Sequence, residues 1–204
     1  MTRELIASPP VLAAGNWVWL LAPAEQERAL VIAPEGDTLA QVLSPHFGSV
    51  ERVAPGAAVR RESADRSVDL VAISRLEECA SNRAWLVDSV NEARRVLRDG
   101  GCLLVTFMNP RWARRVISGW GPARLAQSRS VAAVLEGAGF SAVGSYYLQP
   151  YPGANSIIPI WAPAAEHHER VQHVSSRLGR FRPLVARLGG HALLYPGCAC
   201  VGFV

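Results

Sequence analysis

Short apolar runs bounded by turn residues recur along the whole chain. Runs of this kind without polar alternation are typical of strands buried on both faces of a sheet. The pattern predicts seven strands, of which the third is the weakest: residues 29–33, 50–53, 58–62, 68–73, 102–107, 141–147 and 198–204.

Helical spacing of apolar residues separates several of these strands and predicts helices over residues 38–43, 83–97 and 130–136. Asp37 can cap the first helix, and Ser44-Pro45 ends it. Asp99-Gly100-Gly101 is a stop signal for the second helix, and residues 137–139 end the third. Strands that alternate with helices indicate an α/β fold with a doubly wound, mostly parallel sheet.

The chain has 204 residues, and half of them are apolar. A chain of this length forms one domain with a large core, so we expect a single domain over residues 1–204. No apolar run approaches the ~20 residues of a membrane span, and the first residues lack a signal-peptide layout. We therefore expect a cytoplasmic protein that does not bind a membrane.

All 21 basic residues are arginine. The lack of lysine excludes Schiff-base chemistry and a P-loop lysine. Arginines are concentrated within residues 111–129 and 177–187. Because no aromatic-basic ribbon or nucleic-acid-binding motif accompanies them, solvated helix faces are favoured and no nucleic-acid partner is expected.

The four cysteines do not form a metal-binding or disulfide pattern. Cys79 and Cys102 are isolated, and Cys198 and Cys200 share one face of the predicted last strand. No second CxC or CxxC motif completes a zinc site, so buried reduced thiols are favoured.

The histidines do not form a metal-binding pattern either. His167, His168 and His173 do not share a helical face, so an exposed polar helix is favoured over a metal site. Any one of them could still act as a general base. No G-x-S-x-G motif supports nucleophilic hydrolysis.

Three segments resemble motifs of the class I S-adenosylmethionine (SAM)-dependent methyltransferases. Residues 67–74 (SVDLVAIS) are similar to the "FDLV" strand, 91–105 (NEARRVLRDGGCLLV) to the "EARRVLKPGG" segment, and 135–140 (LEGAGF) to "LxxAGF". The similarity extends from about residue 28 to 148 and includes the last strand. It implies a Rossmann-like sheet with an antiparallel last strand, SAM as the cofactor, and methyl transfer.

The resemblance also implies where the cofactor binds. In this family a G-x-G-x-G loop follows the first strand, because glycine lets the backbone approach the ligand. Here Ala33, Glu35 and Asp37 stand at the three glycine positions, and Gly36 is one position out of register. The implied cofactor-binding residues lie in this loop, at the end of the second strand and at the end of the strand similar to "FDLV". They are Ala33, Glu35, Gly36, Asp37, Ala54 and Ser74.

Further positions depart from the family pattern. Ala54 replaces the acid that holds the ribose hydroxyls, and Glu51 lies a full pleat away from that position. The segment from Ala54 to Val68 is too short for the usual helix and strand. Arg75 and Cys79 replace the two histidines of an "SHxLEH" motif.

Glu35 and Asp37 admit two interpretations. They can cap a helix and complement its dipole, or they can face a cationic group such as a sulfonium or an amine. Two acids at a helix N-terminus would repel a pyrophosphate, which disfavours a dinucleotide.

An insertion over residues 149–197 separates the last two strands, which the resemblance pairs antiparallel. We expect it to begin on the carboxyl edge of the sheet, to contain helices near 164–178 and 183–188, and to act as a substrate lid or a partner surface. In the N-terminal segment 1–28, Trp17 and Trp19 either pack against the sheet or contact a partner.

Three functions remain open. The first is a diverged methyltransferase that acts on a small molecule in a biosynthetic pathway. The second is a pseudoenzyme that serves as a binding or scaffold partner. The third is a methyltransferase fold used for SAM-independent chemistry. A homo-oligomer remains open for any of these functions. The sequence does not identify a catalytic base.

Overall fold

The computed structural model describes residues 27–56, 64–109, 128–148, 157–159 and 197–204. The predicted strand at 58–62 and the helices of the insertion lie outside these residues. The same is true of Trp17, Trp19, the three histidines and most of the two arginine-rich stretches.

The strands are β1 (Arg28–Ile32), β2 (Ser49–Val53), β3 (Val68–Ile73), β4 (Leu97–Met108), β5 (Ser141–Leu148), β6 (Ile157–Pro159) and β7 (Gly197–Phe203). They form one sheet in the order β2-β1-β3-β4-β7-β5-β6. Strands β2, β1, β3 and β4 are parallel neighbours. Strand β7 is antiparallel to both β4 and β5, which confirms the predicted mixed sheet.

The helices are α1 (Leu39–Leu43), α2 (Leu76–Cys79), α3 (Arg83–Val96) and α4 (Ser128–Gly137). The predicted helices correspond to α1, α3 and α4. Helix α3 begins at a cap that the sequence pattern did not single out, since the Asn82 side chain accepts a hydrogen bond from the Trp85 backbone N–H at 2.9 Å.

The alternation of side chains along β1 divides the core between the two faces of the sheet. Leu30 and Ile32 pack on one face with the apolar residues of α3 and α4. Ala29, Val31 and Ala33 pack on the other face with residues of α1. Helices cover both faces, as a doubly wound sheet requires.

The predicted stop of the second helix is wrong. Helix α3 ends at Val96, and Leu97 already pairs with Val68 of β3. Asp99-Gly100-Gly101 therefore lies inside β4, where the register with β3 shifts. Gly100 has φ +80°, and a Cβ at Gly101 would lie 2.9 Å from the Arg98 carbonyl oxygen, so the glycines permit this irregularity.

Strand β6 was not predicted. Its three residues pair antiparallel with Tyr146–Leu148, at the carboxyl end of β5. Leu148, which precedes the insertion, and Gly197, its last residue, are paired in adjacent strands. Both ends of the insertion thus lie at the carboxyl edge of the parallel strands, and the rest of the lid hypothesis stays a prediction.

Within the described residues, no helix combines the length and the apolar character needed to cross a membrane.

A carboxylate from β3 holds the start of β1. Asp69 Oδ2 accepts hydrogen bonds from the backbone N–H groups of Glu27 at 2.9 Å and Arg28 at 2.8 Å. Asp69 Oδ1 forms an ion pair with Arg98 of β4, and the Asp69 side chain is only 10% exposed. One side chain therefore ties together three neighbouring strands at the amino edge of the sheet.

We predict that Asp69→Ala lowers the free energy of unfolding by about 3 kcal/mol, because two backbone donors and a guanidinium lose a charged acceptor. Urea denaturation measures the change. Asp99→Ala is the matched control, because Asp99 pairs with Arg66 on the surface and its loss should leave stability nearly unchanged. Equal stability of the two variants would contradict the role of Asp69.

Candidate functional site

Buried polar side chains are concentrated at one edge of the sheet. In the part of the chain that the structure describes, the buried polar or charged residues are Asp37, Ser74, Thr106 and Asn109. Asp37 lies in the loop after β1, Ser74 directly follows β3, and the other two lie at the end of β4. The carboxyl ends of these parallel strands meet at the same edge, where open α/β sheets bind ligands.

The loop after β1 is a tight turn. The Asp37 backbone N–H donates to the Pro34 carbonyl oxygen at 3.2 Å, and Gly36 has φ +75°. A positive φ at this turn position favours glycine, so the one glycine that remains in the loop is needed for its shape. The Arg52 guanidinium of β2 donates a further hydrogen bond to the Pro34 carbonyl oxygen.

The Asp37 side chain joins this loop to β3. Its Oδ2 accepts a hydrogen bond from Ser74 Oγ at 2.9 Å, and its Oδ1 accepts one from the Leu39 backbone N–H at 2.8 Å. Asp37 is 6% exposed and Ser74 is fully buried. Both carboxylate oxygens are satisfied, which a buried charged group requires.

The predicted cap at Asp37 needs one correction. The cap position of α1 belongs to Thr38, whose side chain makes no capping bond. Asp37 lies one residue earlier and reaches the first N–H of the helix. The hydrogen-bond acceptor for the start of α1 is therefore the carboxylate of the residue before the cap position.

Helix α2 is fastened across the ends of β3 and β4. The Arg75 N–H donates to Thr106 Oγ1 at 3.3 Å, and the Glu77 carboxylate accepts from the Met108 N–H at 3.0 Å. The Cys79 thiol donates to the Ser74 carbonyl oxygen at 3.0 Å. These three bonds fix the segment that follows Ser74 relative to both strands.

The cysteines are buried and free, as predicted. Burial, together with the smaller effect of the nearby carboxylates, Glu77 first, raises the pKa of Cys79 to about 12. Burial likewise raises the pKa of Cys102 to about 12 and that of Cys200 to about 11, and it raises the pKa of Cys198. Neutral thiols of this kind are poor nucleophiles and poor metal ligands.

The six residues predicted to bind the cofactor fall into two groups. Asp37 and Ser74 are buried and in contact, and Ala33 is buried with its N–H bonded to the Val53 carbonyl oxygen. Glu35 and Gly36 are exposed in the turn, and Ala54 is exposed after β2. The structure brings the loop after β1 and Ser74 together, while Ala54 presents no polar side chain.

The two acids of the loop are not equivalent. Both carboxylate oxygens of Asp37 accept hydrogen bonds, from Ser74 and Leu39, whereas Glu35 is exposed. Glu51 does not substitute for the missing acid, because its carboxylate pairs with Arg28 at 3.1 Å.

Sequence reasoning missed Thr106, Asn109, Glu77 and Arg52. Thr106 and Asn109 could have been found from their position, because they lie at the end of a predicted strand, and polar residues at strand ends are candidates for the site. Among the described residues, no group of three metal-ligating side chains is brought together.

The strand order and the antiparallel β7 define a class I SAM-dependent methyltransferase-like fold. The chain is similar to a SAM-dependent methyltransferase from Archaeoglobus fulgidus, with a TM-score of 0.62, 14% identity, and coverage of 96% of this chain and 94% of that one. It is similar to a SAM-dependent methyltransferase from Thermotoga maritima, with a TM-score of 0.53, 13% identity, and coverage of 94% and 88%.

A third similar structure is phosphoethanolamine N-methyltransferase 2 from Haemonchus contortus, with a TM-score of 0.55 and 12% identity. The match covers 95% of this chain and 52% of that one, so the chain spans about half the length of this enzyme. No protein-family model matches the sequence, and no curated protein matches it.

The residues present fit the amino-acid part of SAM better than its ribose. Gly36 is exposed, and an added Cβ there would have no neighbour within 4 Å. Glu35 is exposed in the turn, and the partly exposed Arg75 directly follows Ser74, whose hydroxyl bonds to Asp37 of the same loop. Their opposite charges are complementary to the cationic sulfonium and to the carboxylate of that part of SAM, whereas the ribose position at Ala54 has no acid.

We predict that Asp37 and Ser74 are energetically coupled. In a double-mutant cycle with Asp37→Ala and Ser74→Ala, the coupling energy should be about 1–2 kcal/mol, because each single change leaves a buried partner unsatisfied. Urea unfolding of the four proteins measures it. The half-exposed Arg28–Glu51 pair is the control and should show much weaker coupling. Coupling no larger than that of the control would contradict the proposed contact.

We predict that the four thiols react slowly in the folded chain. Unfolded cysteine ionises near pH 8.5, so raising the pH from 7 to 9 should accelerate iodoacetamide labelling of the urea-unfolded chain. The raised pKa values keep the folded thiols neutral over this range, so labelling should be at least about 100-fold slower at pH 8. Mass spectrometry counts the labels. Rapid labelling of Cys79 in the folded chain would contradict this prediction.

Proposed function

We propose that this protein is a SAM-dependent methyltransferase that acts on a small molecule, with SAM bound at the carboxyl ends of β1 and β3. The observation that carries the proposal is the gathering of the buried polar residues Asp37, Ser74, Thr106 and Asn109 at this edge. Their hydrogen bonds hold the ends of three adjacent strands and the turn after β1 in fixed positions. Ligands of open α/β sheets bind at this edge.

The similar structures support the cofactor. Phosphoethanolamine N-methyltransferase 2 from Haemonchus contortus binds SAM in one structure, and S-adenosylhomocysteine (SAH) with phosphomonomethylethanolamine in another. For this chain the expected cofactor is SAM, and the acceptor is a small molecule.

The residues of the edge would contribute mainly by positioning. The turn over residues 34–37 is fixed at both ends, by Arg52 on one side and by the Asp37–Ser74 bond on the other. SAM supplies a methyl group on a sulfonium, and its transfer to an oxygen or nitrogen of the acceptor leaves SAH and releases a proton. A rigid turn favours such a transfer because the donor and the acceptor are held in a reactive arrangement.

Glu35 is the residue placed to favour the charged cofactor. Its carboxylate is exposed in the turn, so it can approach the sulfonium without being buried unpaired. At about 4 Å in water a pair of opposite charges contributes about 1 kcal/mol, equivalent to about a fivefold change in affinity.

We predict micromolar binding of both SAM and SAH in calorimetric titration of the purified chain. Glu35→Gln should weaken SAM binding about fivefold and SAH binding less, because SAH lacks the sulfonium charge. Glu136→Gln is the matched control, since Glu136 is exposed near the end of α4, before β5 starts at the opposite edge. Absence of heat, together with absence of thermal stabilisation at millimolar SAM, would overturn the proposal.

A second function, that of a non-catalytic binding partner, is favoured by one specific observation. Asp37 stands at the third glycine position, and its side chain is bonded to Ser74 where a glycine would leave space. If this bond excludes the cofactor, Asp37→Gly should create SAM binding that the unaltered chain lacks. Binding by the unaltered chain would instead contradict this second function.

A further inference from the structure

Arg75 has an unusual backbone conformation next to the candidate site. Its φ of 53° and ψ of 56° lie in the left-handed region, which residues other than glycine seldom adopt. The conformation is stabilised by the bond from its own N–H to Thr106 Oγ1. Its carbonyl oxygen accepts from the N–H groups of Glu78 and Cys79. The backbone of Arg75 is therefore held from both sides.

The guanidinium of Arg75 forms an ion pair with a residue of α2 near the carboxyl edge of the sheet. The side chain of Arg75 is 21% exposed and forms an ion pair with Glu78, whose side chain is 42% exposed. An ion pair that is partly open to solvent contributes little stability, so a ligand can compete for the guanidinium. Arginine has five donors in a planar fork, and the contact with Glu78 is made through NH2 alone.

The charges of the edge are arranged asymmetrically. Glu35 lies in the loop after β1, and Arg75 directly follows Ser74, which contacts that same loop. The other cation nearby, Arg52, is bonded to the Pro34 carbonyl oxygen on the β2 side of the loop. This edge therefore carries one exposed carboxylate, that of Glu35, and one partly exposed guanidinium, that of Arg75, on the two segments that the Asp37–Ser74 bond joins.

We propose that Arg75 binds the carboxylate of the amino-acid part of SAM and SAH, and that the ligand replaces Glu78 as its ion-pair partner. This inference rests on the proposed function, because it assigns a residue to a ligand of that same site. Bidentate guanidinium–carboxylate contacts are short and directional, so Arg75 would fix the orientation of the ligand as well as contribute affinity.

Calorimetric titration with two ligands tests the assignment. SAH carries the carboxylate, and 5′-methylthioadenosine has the same nucleoside without the amino-acid part. Arg75→Gln should weaken SAH binding about tenfold and leave 5′-methylthioadenosine binding within about twofold. Arg75→Lys should restore part of the SAH affinity, because it keeps the charge and loses the fork.

Glu78→Gln separates ligand binding from a structural role. Since it removes the competitor for the guanidinium, it should strengthen SAH binding about threefold. A purely structural ion pair predicts instead that both substitutions weaken binding of both ligands alike. Thermal melts of all variants check that they are folded.

The outcomes distinguish this inference from the proposed function. If the unaltered chain binds neither SAH nor 5′-methylthioadenosine, the proposed function is wrong and the role of Arg75 is wrong with it. If the unaltered chain binds SAH and Arg75→Gln binds it equally well, only the role of Arg75 is wrong. Equal weakening of both ligands by Arg75→Gln also overturns it.

Discussion

The hydrogen bond from Ser74 Oγ to the Asp37 carboxylate connects the two segments on which the candidate site depends. Ser74 follows the third strand of the chain, and Asp37 follows the first, so the bond spans two neighbouring strands at their carboxyl ends. Because both groups are buried, neither can be satisfied by bulk water, and an unpaired partner would be costly. The second Asp37 oxygen binds the start of α1, so one side chain sets the positions of a strand end, a turn and a helix.

This arrangement changes how the loop can recognise a ligand. A loop of several glycines offers backbone N–H groups to a ligand that approaches closely. Here only Gly36 keeps that freedom, while Asp37 closes the loop against Ser74. Under the proposed function, the groups open to a ligand are the exposed side of the turn and the exposed Glu35. Compared with such a loop, this one has less glycine flexibility and has hydrogen bonds that fix one conformation.

Most of the fold could be predicted from the sequence, because strands buried on both faces leave uninterrupted apolar runs. The start of β4 could not be predicted. Leu97 pairs with Val68 of β3 before a shift in register, and the sequence of β4 alone does not show this pairing. Part of the site was predictable from its position after the strands. The contact of Asp37 with Ser74 was not, since sequence places both at one edge without showing which atoms meet. Thr106 was missed because a threonine inside an apolar strand looks like any other core residue.

The segment after β3 shows how a departure from a family pattern can be supported by the rest of the structure. Arg75 stands at a histidine position of the methyltransferase motif that this segment resembles, and its left-handed backbone would be unfavourable without compensation. The compensation comes from Thr106, from the carbonyl bonds of α2, and from Glu77, which ties α2 to Met108. These bonds act on the backbone, and they hold the start of the Arg75 side chain beside Ser74 at the carboxyl edge of the sheet. The departure from the pattern therefore changes which side chain is presented there while the strand ends keep their positions.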